Sequence, residues 1–258
     1  MDKELLQSGR NCLVRPMRGL WRTACQFLWP ALCQACSAPI EEEAGGLCPA
    51  CWQELSAAVG SDYCRRCGRA VTRYGLVANR CGGCLEEALE YDGLCRAGFY
   101  TGVLKRLLRG LKFQDQTENI EYLGPIIQGA FETSGFSDKI DILVPVPLHW
   151  RRRLERGFNQ SFLLAWQLRR FCSTISTDLV RMRYTCHQWE LEDDAARRKN
   201  VKGAFAVRQS HPFEGKTVCL VDDISTSGAT LKECAVTLRQ AGAKAVFAAV
   251  VAVAERLD

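Results

Sequence analysis

The chain has 258 residues, 47% of them hydrophobic, which is ample for a soluble globular protein of one large or two smaller domains. Its net charge of +5 belongs wholly to positions 91–258, because positions 1–90 hold ten basic and ten acidic residues; such a balance suits a phosphate-bearing ligand or a nucleic acid. The longest apolar run, Ala245 to Ala254, falls far short of the roughly 20 residues of a membrane-spanning helix, and Met1 to Cys12 does not read as a secretory signal, so a cytoplasmic protein is expected.

In residues 1–30, Leu13, Met17, Leu20, Trp21, Ala24 and Leu28 share one helical stripe, with Arg15, Arg18 and Arg22 opposite and no acid between Leu5 and Ile40. Such a helix either docks its apolar side on its own protein or touches a membrane surface or a nucleic acid. Residues 31–90 are read as a separate module. Eight of the 15 cysteines fall there in four CxxC pairs, Cys33/Cys36, Cys48/Cys51, Cys64/Cys67 and Cys81/Cys84. A CxxC turn aims two sulfurs at one ion, and two such turns complete a tetrahedral thiolate site, the geometry zinc accepts. Two zinc ions are expected, each with all four positions filled by protein and therefore structural. The spacing favours sequential pairing; an interleaved pairing, first with third, stays open. On this reading a chelator unfolds residues 33–90 and spares the rest.

From residue 91 to 258 apolar strands alternate with amphipathic helices. "GLCRAGFY" reads as a strand, "TGVLKRLLRGLKF" as a basic helix, and Glu118–Phe131 as a second helix. "DILVPVP" is a buried strand, "NQSFLLAWQLRRF" a helix capped by Asn159, and "DLVRMRYT" a further strand. "KTVCLVDDI" is a strand, "TLKECAVTLRQAGAK" a helix stopped at Gly242, and "AVFAAVVAVA" the last strand. This alternation predicts an α/β fold, a parallel sheet covered on both faces, with ligands bound outside the carboxyl ends of its strands.

The segment "VCLVDDISTSGAT", Val218 to Thr230, carries the chemistry. Asp222 and Asp223 are expected where the strand leaves the core. The residues beyond them, Ser225, Thr226, Ser227, Gly228, Ala229 and Thr230, feed straight into a helix. Unpaired N–H groups at a helix start bind phosphate, glycine lets the backbone approach, and carboxylates accept hydrogen bonds from neutral hydroxyls. A ligand with both features is a sugar phosphate.

This stretch resembles the phosphoribosyl diphosphate (PRPP) signature of type I phosphoribosyltransferases. "VPVPLHWRRRLERGFNQS" (144–161), "LKF" (111–113) and "NVKGAF" (200–205) are similar to segments of the ComF/GntX branch, which carries a double zinc ribbon ahead of the transferase-like domain. The resemblance implies that Asp222 and Asp223 hold the ribose 2- and 3-hydroxyls and that Ser225 to Thr230 cradle the 5-phosphate. It implies a diphosphate loop of Pro147, Leu148, His149, Trp150 and Arg151, and a closing loop that includes Gln188 and Arg197. Magnesium would accompany PRPP. Two roles follow from the resemblance. One is transfer of phosphoribose to an acceptor in the service of DNA uptake during natural transformation. The other is single-stranded DNA handling, beside helicase or recombination partners, with the PRPP pocket regulatory or vestigial; the basic residues Lys105, Arg106, Arg109 and Lys112 are compatible with it.

Overall fold

The computed structural model describes residues 31–41, 45–60, 62–72, 75–77, 80–86, 89–186, 193–208 and 212–254. The amphipathic reading of residues 1–30 and the loop residue Gln188 lie outside these. Among the described residues no helix is long and apolar enough to cross a membrane.

The chain divides into two compact units, Met1–Gln53 and Glu54–Asp258. In the first, β1 (Ala31–Leu32) pairs antiparallel with β2 (Pro39–Ile40). The turn between them is a knuckle in which Ser37 N donates to Cys33 O at 2.8 Å. Helix α1 (Pro49–Ala58) begins in this unit.

The second unit is built on a four-stranded, wholly parallel sheet. Its strands are β3 (Gly93–Phe99), β4 (Ile142–Pro145), β7 (Thr217–Ser225) and β8 (Ala245–Val253), in the order β3-β8-β7-β4. β5 (Leu179–Arg181) and β6 (Phe205–Val207) form a separate antiparallel ladder. Successive strand residues face opposite ways, so Val218 and Leu220 of β7 join one core while Cys219 and Val221 are buried on the other side. Helix α8 (Ala229–Gln240) covers the first face through Leu231, Cys234, Ala235 and Leu238. Helices α4 (Ile120–Glu132) and α6 (Gln160–Gln167) pack on the strands and on each other. This is the α/β architecture, a parallel sheet with helices packed on it, that the alternation of strands and helices predicts.

The compact units do not part at the expected 90/91 boundary. The segment with the second cysteine group, including helix α2 (Gly82–Glu86), belongs with the sheet. Its backbone lies along the free edge of β3: Gly60 N donates to Ala97 O at 3.2 Å and Leu94 N to Arg65 O at 2.7 Å. An exposed edge strand carries unpaired backbone groups, and this segment covers them. Gly68, at φ +81°, packs so tightly that an added Cβ would stand 2.8 Å from the Leu94 side chain and 2.9 Å from that of Val253. Its carbonyl accepts from Nε of Arg96 at 2.8 Å, a strand residue only 1% exposed whose guanidinium lies over Tyr63 and Phe99. Composition drops its cysteines at residue 90; the hydrogen bonding does not stop there.

Helix α3 (Gly102–Phe113) follows β3, and Leu104, Leu107, Leu108 and Leu111 are buried on one stripe. Glu54 Oε1 accepts from Val103 N at 2.9 Å at its start, where helix amides lack partners. The hairpin between β5 and β6 holds a helix absent from the sequence reading, α7 (Asp194–Val201). It is capped by Asp193, which accepts from Ala196 N, with Arg198 and Lys199 in its last turn.

Candidate functional site

The eight CxxC thiols gather into two groups, Cys33, Cys36, Cys48 and Cys51, and Cys64, Cys67, Cys81 and Cys84. The pairing is the sequential one. Within each group the sulfurs lie within 4.8 Å of one another, with Cys36–Cys48 at 3.7 Å, Cys64–Cys84 at 3.8 Å and Cys67–Cys81 at 3.5 Å. Sulfurs bound tetrahedrally at about 2.3 Å from one zinc stand about 3.8 Å apart, whereas a disulfide needs about 2.05 Å. Cys48 N points at Cys33 Sγ at 3.3 Å, the N–H to sulfur bond that steadies a thiolate. The hydrogen bond between Cys64 and Cys67 pulls the Cys64 thiol down to about 4 and pushes that of Cys67 up. The donors fit zinc, and no ligand position is left for water.

The second site is a cavity of about 650 Å³ at the carboxyl edge of the sheet. Tyr100 after β3, Val146 to Leu148 after β4, and the end of β7 with the loop to α8 all line it. β7 runs through Asp222 and Asp223 to Ser225, one residue beyond the strand read from the sequence, so the acids lie within the strand and Asp223 is 4% exposed. Their different partners follow from the alternation of strand side chains. Asp222 Oδ1 accepts from Ser161 Oγ at 2.8 Å and from Asp223 N at 2.9 Å. Asp223 accepts from Ile224 N at 2.7 Å through Oδ1 and meets Lys112 Nζ at 2.8 Å through Oδ2. Loss of hydration, then the charge of Asp223, raises Asp222 to about 7.

Gly228 (φ +74°) is the N-cap of α8 and has no side chain to cap it; Ser227 Oγ accepts from Ala229 N at 3.4 Å. Apart from that long contact, the amides of its first turn face a start without a side-chain cap, the setting in which an anion binds. Ser225, Thr226, Gly228, Ala229 and Thr230 line the cavity; Ser227 sits behind, its Oγ 3.4 Å from Ala229 N.

The loop expected at Pro147 to Arg151 is divided. Pro147 and Leu148 line the cavity, but α5 (Trp150–Arg156) begins at once, with buried His149 as its N-cap. Trp150 is exposed and has Arg151 over its ring. Residues four apart share a helix face, and here that face carries Arg152 and Arg156 into the cavity while Arg151 and Arg153 are solvated. Thr185 pins two guanidiniums: Arg152 donates to its carbonyl at 2.5 Å and Arg181 to its hydroxyl. Burial pulls the pKa of Arg181 down, and the neighbouring Arg152 adds to it. Among the described residues, buried Arg152 Nε, Arg181 Nε and Gln160 Nε2 have no hydrogen-bond partner. Buried donors of this kind cost free energy until something accepts from them.

Asn159 caps α6, accepting from Ser161 N at 3.1 Å, and does not line the cavity. Arg197 sits on α7 against Asp194 at 3.1 Å and is likewise not among the lining residues. The basic residues of α3 do not form a face of their own. Lys105, Arg109 and Lys112 line the cavity, while Arg106 pairs with Glu54 at 2.7 Å.

A double zinc ribbon family model matches residues 24–97. Competence protein F of Haemophilus influenzae is 30% identical over 83% of this chain and 93% of its own length. The DNA utilization protein YhgH of Escherichia coli K12 is 34% identical over 84% of this chain and 94% of its own length. The chain belongs to the ComF/GntX family. Competence protein ComFC of Bacillus subtilis is a more distant member, 27% identical over 82% of this chain and 79% of that protein. Among solved structures, a B. subtilis glutamine PRPP amidotransferase aligns over 50% of this chain and 25% of its own, at 22% identity and a TM-score of 0.33, too slight to carry an argument. The ribbon match and the two thiolate groups together support structural zinc as a property of this ComF/GntX chain.

Proposed function

We propose that the cavity binds PRPP and that this binding serves the handling of incoming DNA, the role for which the named relatives are called competence and DNA utilization proteins. The observation that carries the reading is the presence of two anion-seeking groups in one cavity with a carboxylate pair. One is the start of α8, whose N-cap is a glycine. The other is the trio of unpartnered buried donors on Arg152, Arg181 and Gln160. Charge points the same way. Six cations and two acids line the cavity, an excess of four. One phosphate monoester brings only about −1.5 to −2, so a second polyanionic group is needed for balance. PRPP has a 5-phosphate, two neighbouring hydroxyls and a diphosphate, in that order along the sugar.

The reaction this arrangement suits is transfer of phosphoribose to an acceptor, with diphosphate leaving toward the arginines. Magnesium would neutralise the leaving diphosphate. Titration calorimetry tests the assignment of the two ends. Arg152→Met is expected to weaken PRPP by about tenfold or more, the worth of a charged hydrogen bond, and to change ribose 5-phosphate by less than about threefold. Equal losses for both ligands would remove the arginine end from the reading.

A second reading, single-stranded DNA handling with a regulatory cavity, is favoured by one surface feature. Exposed Phe162 and Trp166 on α6 stack at 6.4 Å, with Arg169 over Trp166 at 4.2 Å, an arrangement that suits unpaired bases. In a gel shift, Trp166→Ala is expected to weaken single-stranded DNA binding by about tenfold while leaving PRPP binding intact. An unchanged shift removes this surface from the reading.

A further inference from the structure

The carboxylate pair is already served by a cation of the chain itself. Lys112 leaves the last turn of α3, a helix fixed by its buried leucines, and its Nζ lies 2.8 Å from Asp223 Oδ2. Both side chains are largely shielded, at 21% and 6% exposure. Backbone amides occupy one oxygen of each acid, Asp223 N on Asp222 and Ile224 N on Asp223. The Asp223 oxygen turned away from its own backbone is the one that meets the ammonium. A divalent ion placed directly on the pair would therefore stand against a fixed positive charge in a region of low dielectric, where repulsion is strong. Ser161 Oγ on α6 donates to Asp222 Oδ1 at 2.8 Å.

We propose that Lys112 is a positioning residue that does a metal's work at the pentose end of the cavity. Its ammonium holds the Asp223 carboxylate oriented to accept a hydrogen bond from a ligand hydroxyl, so a pentose phosphate binds there without a divalent ion. Magnesium then enters only with a diphosphate, at the arginine end. This rests on the pentose-phosphate reading given above, and goes beyond it in dividing the cavity into a metal-free half and a metal-carrying half. Lys112 lies far in sequence from both aspartates, on a helix whose basic stripe is shared with Lys105 and Arg109.

Ribose 5-phosphate, which lacks the diphosphate, separates the two halves. Calorimetry on the full chain compares it in EDTA and in magnesium, for wild type, Lys112→Met and Lys112→Arg. Wild type is expected to bind equally in both buffers, within about twofold. Lys112→Met is expected to lose about tenfold or more in EDTA, the worth of a charge-assisted hydrogen bond, and to regain part of it with magnesium. Lys112→Arg, which keeps the charge, is expected to stay independent of magnesium. A residue that only props up the helix would leave the magnesium response of all three proteins alike. The proposal is overturned if wild type needs magnesium for ribose 5-phosphate, and that comparison decides it even should the methionine variant not fold. A methionine variant that folds and binds like wild type also overturns it. If wild type binds neither ribose 5-phosphate nor PRPP in either buffer, the pentose-phosphate reading itself fails and takes the lysine with it.

Discussion

Replacing Cys64 by serine is expected to abolish the cooperative melt of the Glu54–Asp258 unit, and not merely to loosen a detachable knuckle. The sequence alone suggests the milder outcome, a chelator sparing everything after residue 90. The hydrogen bonds argue otherwise. The second thiolate group holds the turn that supplies Arg65 O and Gly68 O to β3, and Gly68 O is the acceptor for the buried guanidinium of Arg96. Without that turn, β3 becomes a bare edge and a core arginine loses a charge-assisted bond worth about 1.5–3 kcal/mol. A structural zinc site contributes roughly 10–16 kcal/mol in small domains, against a total stability of about 5–15 kcal/mol for a typical domain, so its loss exceeds what the sheet has to spare. Thermal unfolding followed by circular dichroism, with zinc release measured alongside, checks this. Cys36→Ser, whose thiol lies in the Met1–Gln53 unit, is the contrast and is expected to shift the sheet's melt by only about 3 °C or less. A Cys64→Ser protein that melts like wild type contradicts the account.

Asp222→Asn is expected to make the empty protein more stable while removing its ligand binding. Asp222 is raised from 3.8 to about 7, first by loss of hydration and then by Asp223. A carboxyl with a raised folded pKa binds more protons folded than unfolded between those two values, so its ionisation erodes stability as pH climbs from about 4 through about 7. The amide escapes this cost and still accepts from Ser161 and from Asp223 N. A gain of a few degrees in Tm at pH 8, shrinking toward pH 4, is the expected result, in line with active sites that hold strained charge for function. A Tm difference that is constant with pH, or that grows in acid, contradicts the assignment.

The regular elements were legible because their periods were clean. The "LLRGL" stripe of α3 and the unbroken apolar runs of β7 and β8 admit few other readings. The CxxC spacing foretold both thiolate groups. The cavity was only half legible, because its parts converge from segments far apart in the chain. Arg181, for one, carries no local signal of a shared site. The diphosphate loop implied by the resemblance ends at Arg151; with His149 as cap, α5 starts at Trp150, and it is Arg152 and Arg156 that line the cavity. Two signals were present and unused. Lys105, Arg109 and Lys112 recur at helical spacing, which sets Arg106 apart, and Asp193 with Asp194 followed by Arg198 and Lys199 is the charge pattern of a short helix.

The most direct measurement of the central claim is calorimetric titration of PRPP with magnesium into wild type and into the Asp222→Ala/Asp223→Ala protein. Saturable one-to-one binding by wild type, lost by about a hundredfold in the double variant, is the result expected if two carboxylates hold the sugar hydroxyls. Equal affinity for the two proteins, or no heat with either, would contradict it.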